Sequence, residues 1–297
     1  MLIFHRVLPS ADPLFPQEVD AARFDRICSW LCAWFNVLPL DEAVRRLSAG
    51  TLPARSLAIT FDDGYADNHD IALPILVRHG LTATFFIATG YLDGGRMWND
   101  TIIESLRHTA LDAIDLQDVQ GLSFGTHSLR TPGERRAAID AIIPRIKHLP
   151  AARRQSAADD IARRAKAAPS NDLMMTSDHV IALHRGGMQI GAHTVTHPIL
   201  ALLGAEDARA EVIASRQSLE HLLGAPVRLF AYPNGQPGKD YSAQTVAIAR
   251  AAGFDAAVTT AWGSSDSRTD RFQIPRFTPW DHTRMRFGAR LLGNLLS

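Results

Sequence analysis

The sequence predicts an α/β fold built on a parallel sheet, and three observations support this prediction. Seven short apolar runs have the length of buried strands, at 2–7, 57–61, 83–88, 188–192, 227–231, 256–259 and 273–276. Stretches with helical periodicity lie between most of them, near 21–36, 41–49, 67–79, 205–223 and 241–252. Strands and helices therefore alternate, as in proteins with parallel sheets. Seven strands in one run favour a distorted (β/α)7-type barrel over an open sheet.

One stretch interrupts this alternation and predicts a helical insertion at about 96–171 within a single domain of residues 1–297. It contains several helical patterns and no convincing strand. Within 130–167, ten basic side chains face four acidic ones, a local balance of 10 − 4 = +6. Such an insertion could be a solvated helical segment, or a basic lid over an anionic substrate or lipid headgroup.

Overall composition excludes some classes of partner. Lys and Arg together number 31, as do Asp and Glu, so no net positive field indicates a nucleic-acid partner. Cys28 and Cys32 lie on an apolar helical stripe with Phe24 and Leu31, which favours a core role over a metal or redox role. The cysteines therefore do not identify the compartment.

Neither end of the sequence carries a recognisable membrane-spanning or secretory signal. Residues 1–9 lack a basic region followed by a long apolar stretch, and no apolar run reaches the ~18 residues that a membrane span needs. We therefore expect a cytoplasmic protein, close to the membrane if its substrate is lipid-linked. Apolar residues alternate with arginines at the C-terminus, which predicts a helix packed on the barrel or, alternatively, a peripheral membrane contact; the apolar positions are Met285, Phe287, Leu291, Leu292, Leu295 and Leu296.

The strongest chemical signal is a pair of adjacent carboxylates, Asp62 and Asp63, between the apolar run 57–61 and Gly64. The C-terminal end of a strand is where α/β barrels place catalytic groups. Adjacent residues point in different directions, so one carboxylate could bind a metal while the other addresses a water molecule. Taken alone, the pair could equally form a turn or cap the following helix.

Two further strand ends strengthen the prediction of a hydrolytic site. His193 and His197 follow the run 188–192, and two imidazoles with one carboxylate suit zinc and leave positions open for water. The run 227–231 ends in Tyr232-Pro233-Asn234-Gly235. Such a turn could donate backbone N–H groups to an oxyanion, or could simply connect a strand to a helix.

These three segments, TFDDG at 60–64, HTVTH at 193–197 and FAYPNG at 230–235, resemble the first three motifs of the polysaccharide deacetylases (carbohydrate esterase family 4, the NodB-homology domain). The resemblance covers the chain apart from 96–171. It implies a distorted barrel and a bound divalent metal, Zn²⁺ first, with Ni²⁺, Co²⁺ or Mn²⁺ as alternatives.

The same resemblance implies a role for each motif residue. Asp62 would be the general base, and the metal ligands would be Asp63, His193 and His197. A backbone N–H of the turn formed by Tyr232, Pro233 and Asn234 would stabilise the oxyanion.

Two departures from the family pattern lead to further candidates. The family's general acid is a histidine in a late motif, and no matching strand lies near this C-terminus. LIFHRV at 2–7 instead resembles the circularly permuted branch, which makes His5 the candidate acid and His282 the alternative. Ala231 stands where many members carry an arginine that orients the catalytic Asp. QIPRF at 273–277 resembles a late motif, and its Arg276 could supply that arginine or be an ordinary structural residue.

The function implied is removal of N-acetyl groups from amino sugars of a polysaccharide, an oligosaccharide or a lipid-linked glycan. The second hypothesis is an O-acetyl esterase or deformylase on the same scaffold. The third is a catalytically inactive carbohydrate-binding barrel. The particular sugar, the native metal and the oligomeric state do not follow from the sequence.

Overall fold

The computed structural model describes the backbone of residues 1–296 and the side chains of residues 1–295. Its strands are β1 (Leu2–Phe4), β2 (Asn36–Val37), β3 (Ser56–Leu57), β4 (Ile59–Phe61), β5 (Thr84–Ile87), β6 (Ala113–Leu116), β7 (Gly125–Ser128), β8 (Gln189–Ala192), β9 (Leu229–Ala231) and β10 (Ala256–Val258). Its α-helices are α1 (Ala21–Trp34), α2 (Leu40–Ser48), α3 (Leu73–Arg78), α4 (Trp98–His108), α5 (Pro132–Ile146), α6 (Ala151–Ala165), α7 (Ser177–Arg185), α8 (Ala205–Leu223), α9 (Ala243–Ala251) and α10 (Arg284–Leu296). A π-helical turn, Asn68–Ala72, precedes α3.

Six of the seven predicted strands form one parallel sheet in the order β1-β4-β5-β8-β9-β10. Phe4 is level with Phe61 across the β1–β4 pair, and Ala192 is level with Phe230 across the β8–β9 pair. Because every pair is parallel, all the carboxyl ends lie at one edge of the sheet. The residues that follow β1, β4, β8 and β9 are therefore brought to the same edge.

The seventh predicted strand, 273–276, does not form a regular strand. It makes two isolated parallel bridges, Val258↔Ile274 to the edge strand β10 and Leu2↔Phe277 to the opposite edge strand β1. The same short segment thus connects both edges of the curled sheet. The predicted α/β barrel is confirmed, in the form of six parallel strands that make a curled half-barrel.

These strands belong to the first of two compact units, formed by Met1–Ser10, Glu18–Gly94 and the chain from Met174 onward. Aromatic rings fill its core: the Phe61 ring stacks on Phe85 with centroids 4.8 Å apart and on Phe4 at 5.3 Å. Gly191 in β8 is required by this packing, because a Cβ there would overlap the Phe86 ring. Close packing on both sides explains why the strands are continuously apolar.

The second unit consists of Ala11–Gln17 and Gly95–Leu173 and has an apolar core of its own, with α4, α5 and α6 around it. The prediction that this stretch is purely helical is wrong, because β6 and β7 form an antiparallel hairpin. Each hairpin strand has only four residues and β6 alternates buried and exposed side chains, so neither produces a continuous apolar run. The assignment of the chain to a single domain stays a prediction.

Several basic residues of the second unit form hydrogen bonds or ring contacts with other residues of the same unit. Arg135 donates to the carbonyl oxygens of Leu106, Arg107 and Thr109 at the end of α4, at 2.7, 2.7 and 3.0 Å. The buried Arg154 lies over the Trp98 ring, 5.3 Å from its centroid. The local charge of +6 therefore overstates how much positive charge is available to an anionic ligand.

Cys28 and Cys32 differ in solvent exposure, whereas the sequence predicts a core role for both. Cys28 is fully buried in α1, as expected, whereas Cys32 is exposed on the same helix. Burial raises the pKa of the Cys28 thiol, so that side chain behaves as a small apolar group. The prediction of a core role is therefore correct for Cys28 and wrong for Cys32.

The C-terminal helix α10 belongs to the first unit and packs into it through Phe287 and Leu291, which are buried. Met285 and Leu292 face outward, with 87% and 63% of their surface exposed, while the side chain of Leu296 lies outside the described residues. In the part of the chain described, no helix has the length and apolar character to cross a bilayer.

Candidate active site

A buried ion pair joins the end of β4 to the segment that follows β10. Arg276 donates two hydrogen bonds to Asp62, to Oδ1 at 2.7 Å and to Oδ2 at 2.6 Å. Both side chains are almost completely buried, at 0% and 2% exposed. Arg276 also donates to the Thr259 carbonyl oxygen at 2.7 Å and to Thr60 Oγ1 at 3.1 Å, so its guanidinium is fixed on three sides. This bidentate contact holds the Asp62 carboxylate in one orientation.

Asp63 faces the two histidines that follow β8. Its Oδ1 lies 3.3 Å from His193 Nε2 and 3.3 Å from His197 Nε2, and it has no hydrogen-bond partner among the described residues. The two imidazole planes are inclined at 59°, so lone pairs lying in those planes can point at a common position. One carboxylate and two imidazoles form a donor set suited to zinc and related divalent cations.

The tautomer of His193 supports this interpretation. His193 Nδ1 lies 2.8 Å from the Ala231 carbonyl oxygen, which can only accept, so Nδ1 carries a proton. In the neutral ring, Nε2 then presents its lone pair toward Asp63. Metal-binding histidines are commonly fixed in this way by a hydrogen bond from the other ring nitrogen.

The charges at this edge of the sheet are unbalanced. Burial by itself would raise the pKa of Asp62, but the charges of Arg276 and His193 outweigh it, so this pKa lies below its usual value. Burial likewise opposes ionisation of Asp63, but His197 and His193 hold its pKa well below the usual range. Two buried carboxylates therefore face one guanidinium, and the excess negative charge favours a bound cation.

The pKa values of the His193 and His197 imidazoles are shifted in opposite directions. Burial tends to lower the pKa of His193, but the charges of Asp62 and Asp63 raise it overall. For His197 burial prevails over the charge of Asp63, and the pKa falls to about 4. His197 is therefore neutral near pH 7, which is the form that binds a metal.

A second group of potential ligands, His69, Asp70 and His179, differs in geometry. The His69 and His179 rings are parallel within 2°, with centroids 4.3 Å apart. Their in-plane lone pairs run side by side and do not converge. His69 Nδ1 is also only 2.8 Å from Asp70 Oδ1 and is engaged in that contact. The Asp63, His193 and His197 group is thus the better candidate for a metal centre.

His5 follows β1 and lies at the same edge of the sheet. Its side chain is exposed, and a positive charge on the imidazole contributes to lowering the pKa of both Asp62 and Asp63. The backbone of His5 is held by Asn68, whose Nδ2 donates to the His5 carbonyl oxygen at 2.9 Å. The alternative candidate, His282, is exposed and lies just before α10.

The turn after β9 contains the three residues predicted to contribute to oxyanion or substrate binding. Tyr232 is fully buried, its hydroxyl donates to the Phe272 carbonyl oxygen at 3.0 Å, and its backbone N–H donates to Val258 at 3.2 Å. Both of its hydrogen-bond donors are therefore used within the fold, and a role of Tyr232 in oxyanion or substrate binding stays a prediction. Pro233 has no N–H, which leaves Asn234, whose N–H makes no hydrogen bond within residues 1–296.

Strained backbone is concentrated at these strand ends. Among the residues that the structure describes, eight other than glycine have positive φ, and four of them belong to the three motifs: Asp63 (77°), Thr194 (65°), His197 (51°) and Asn234 (60°). Residues other than glycine rarely adopt positive φ, and such backbone strain is typical of functional sites. The folded structure thus stabilises a costly backbone conformation where the candidate metal ligands and the candidate oxyanion donor lie.

Other residues support the site in ways that sequence reasoning missed. Asp67 accepts from Val7 N at 3.0 Å and from Arg6 Nε at 2.7 Å, and so holds the chain just after His5. Glu211 on α8 accepts hydrogen bonds from Val195 and Thr196, between the two histidines. A carboxylate in a helical pattern gives no sign that its partner is a remote loop, so neither residue had a distinguishing signal.

Comparison with known proteins identifies the family. Residues 49–257, more than half of the chain, match the polysaccharide deacetylase family. The chain belongs to this family. The protein YxkH of Bacillus subtilis (strain 168) is 30% identical over 89 residues, which are 29% of this chain and 30% of that relative's length.

Solved structures share the fold at low sequence identity. The Streptococcus pyogenes deacetylase PplD in complex with acetate superposes with a TM-score of 0.64 at 19% identity, over 99% of this chain and 96% of that one. IcaB from Ammonifex degensii gives a TM-score of 0.61 at 18% identity, over 98% and 94%. The de-N-acetylase from Aggregatibacter actinomycetemcomitans gives 0.59 at 17%, over 93% and 92%.

Proposed function

We propose that this protein is a metal-dependent hydrolase that removes N-acetyl groups from amino sugars of a polysaccharide, an oligosaccharide or a lipid-linked glycan. The observation that carries the proposal is the placement of two different buried carboxylates side by side. Asp62 is locked to Arg276, while Asp63 faces His193 and His197. Family membership supports deacetylation as the reaction.

The proposed cofactor is one divalent cation held by Asp63, His193 and His197. Zn²⁺ fits a set of one oxygen and two nitrogen donors, and Ni²⁺, Co²⁺ and Mn²⁺ are alternatives. When bound, such an ion polarises the acyl carbonyl and lowers the pKa of water. The unpartnered Asp63 Oδ1 and the His193 tautomer are the observations in favour of this assignment.

The remaining chemistry is assigned to the residues around that centre. Asp62 is held ionised by Arg276 and accepts a proton from the attacking water, so that water adds to the carbonyl carbon. The N–H of Asn234 donates to the oxygen on which negative charge develops. His5 gives a proton to the departing amine as the C–N bond breaks, which yields acetate and the free amino sugar.

The test is acetate release from a panel of N-acetylated oligosaccharides. We expect release by metal-loaded wild-type protein and none after chelation. We also expect none from Asp63→Asn, which removes a proposed ligand but leaves the Asp62–Arg276 pair intact. Asp62→Asn should also be inactive, but it leaves Arg276 partly unpaired in the interior, so its folding must be checked by circular dichroism.

The same assay separates the alternative functions. Release from O-acetylated but not from N-acetylated sugars would favour the esterase. Glycan binding by a metal-loaded protein that releases no acetate from any substrate would favour the inactive carbohydrate-binding barrel and contradict the proposal.

A further inference from the structure

One helix contacts the chain between the two candidate histidine ligands. The five residues 193–197 are called here the histidine loop. Glu211, in the middle of α8, accepts through Oε2 from Val195 N at 2.8 Å and from Thr196 N at 2.9 Å. Its Oε1 accepts from the Thr196 hydroxyl at 2.6 Å. One carboxylate thus binds three successive donors of the loop, and such charge-assisted bonds are shorter and stronger than neutral ones.

The histidine loop needs such external contacts because its own backbone is strained. Thr194 and His197 both have positive φ, so the loop does not adopt an ordinary low-energy conformation. Within the loop, Thr194 Oγ1 accepts from His197 N at 3.2 Å. Thr194 Oγ1 also donates to the His193 carbonyl oxygen at 2.5 Å. These two contacts leave the N–H groups of Val195 and Thr196 without partners inside the loop.

The loop carbonyl groups are bound by a different segment, residues 90–91. Gly90 N donates to Val195 O at 2.8 Å, and a Cβ on Gly90 would lie only 2.7 Å from that oxygen. The Tyr91 hydroxyl donates to Thr196 O at 2.8 Å. Residues 90–91 therefore hold the carbonyls, while Glu211 holds the N–H groups, and the loop is fixed between them.

We propose that Glu211 is a positioning residue of the metal centre. By binding the N–H groups of Val195 and Thr196, it keeps His197 at the distance from Asp63 and His193 that allows all three to bind one ion. Glu211 does not itself touch the ion or the substrate. This inference rests on the metal centre of the proposed function.

The experiment measures Co²⁺ affinity of metal-free protein by calorimetry, with the absorption bands of bound Co²⁺ as a second readout. Glu211→Ala is expected to weaken binding by about 10–100-fold, the range found when residues that orient metal ligands are removed. Glu211→Gln keeps an acceptor oxygen in place and should restore affinity to within roughly three-fold of wild type. The matched control is Glu206→Ala, at the exposed start of the same helix, which should leave affinity unchanged.

Thermal melting of the metal-free proteins separates positioning from stability. Positioning predicts a loss of Co²⁺ affinity that exceeds any change in melting temperature of the metal-free variant. If Glu211→Ala does not fold, Thr196→Val removes only the hydroxyl contact and should weaken Co²⁺ binding less but in the same direction. Equal affinity of the folded Glu211→Ala and wild-type proteins would overturn the inference alone. Absence of Co²⁺ binding by wild type would overturn the metal centre as well.

Discussion

At the scale of single residues, the most consequential contact is the buried pair of Asp62 and Arg276. Taking two charges out of water is costly, and their attraction offsets that cost only when the geometry is good and the remaining donors are bound. Here the contact is bidentate, and Thr259 and Thr60 bind the rest of the guanidinium. Removing one partner therefore leaves an isolated charge in the interior.

We predict that Arg276→Met lowers the free energy of unfolding by ~3–5 kcal/mol, because Asp62 is then buried without its counter-ion. The double variant Asp62→Leu/Arg276→Met should recover more than half of that loss, since no unpaired charge remains. Urea denaturation near pH 7 measures both. A loss below about 1 kcal/mol in the single variant would contradict a strongly coupled pair.

The same pair sets a direction for the pH dependence of stability. The pKa of Asp62 is lowered by folding, so its contribution is present above the unfolded pKa, near ~3.9, and is lost as pH falls through the lower folded pKa. Wild-type protein should therefore lose more stability than the double variant on acidification below about pH 4. Urea titrations at pH 3 and pH 7 provide the comparison.

The motif residues could be identified from the sequence, but the contacts that each of them makes could not. Neighbouring acids, paired histidines and strand ends are visible in the sequence, and these are the residues that lie together. The sequence also does not show that the Tyr232 N–H is already bound to the Val258 carbonyl oxygen. Arg276 was a candidate only through resemblance, since its contact with Asp62 spans 214 positions.

At the scale of helices and strands, the long periodic segments and six of the seven predicted strands agree with the structure, whereas other short segments do not. The stretch predicted at 205–223 coincides with Ala205–Leu223, where Gly224 in the left-handed region ends the helix. The predicted strand 273–276 is replaced by two bridges, and the hairpin of β6 and β7 was missed. Short segments are decided by their tertiary partners, which a local pattern does not contain.

Arg135 gives a prediction at this scale, because it binds three carbonyl groups at the end of α4. The last carbonyls of a helix have no partner within the helix, so Arg135→Met should cost about 1–3 kcal/mol of stability. Arg153→Met is the matched control: Arg153 is exposed on α6, and its side chain has no hydrogen bond or ion pair among the described residues. Thermal and urea unfolding measure both variants, and equal effects would contradict a capping role for Arg135.

At the scale of the whole molecule, the parallel sheet explains how residues far apart in the sequence form one centre. The carboxyl ends of β1, β4, β8 and β9 lie at one edge, and the chain leaves them carrying His5, Asp62, His193 and Asn234, respectively. The segment around Arg276 reaches the same place because it bridges β10 and β1. Side chains with different local surroundings can therefore act together on one substrate.

In the proposed metal centre, Asp63, His193 and His197 together bind one divalent cation. The most direct measurement is the number of Zn²⁺ ions retained per chain after equilibrium dialysis, compared among wild type, Asp63→Asn and His179→Ala. We predict one ion for wild type, one for His179→Ala and none for Asp63→Asn, with each variant folded by circular dichroism. Retention of the ion by Asp63→Asn, or its loss from His179→Ala, would contradict a metal centre formed by Asp63, His193 and His197.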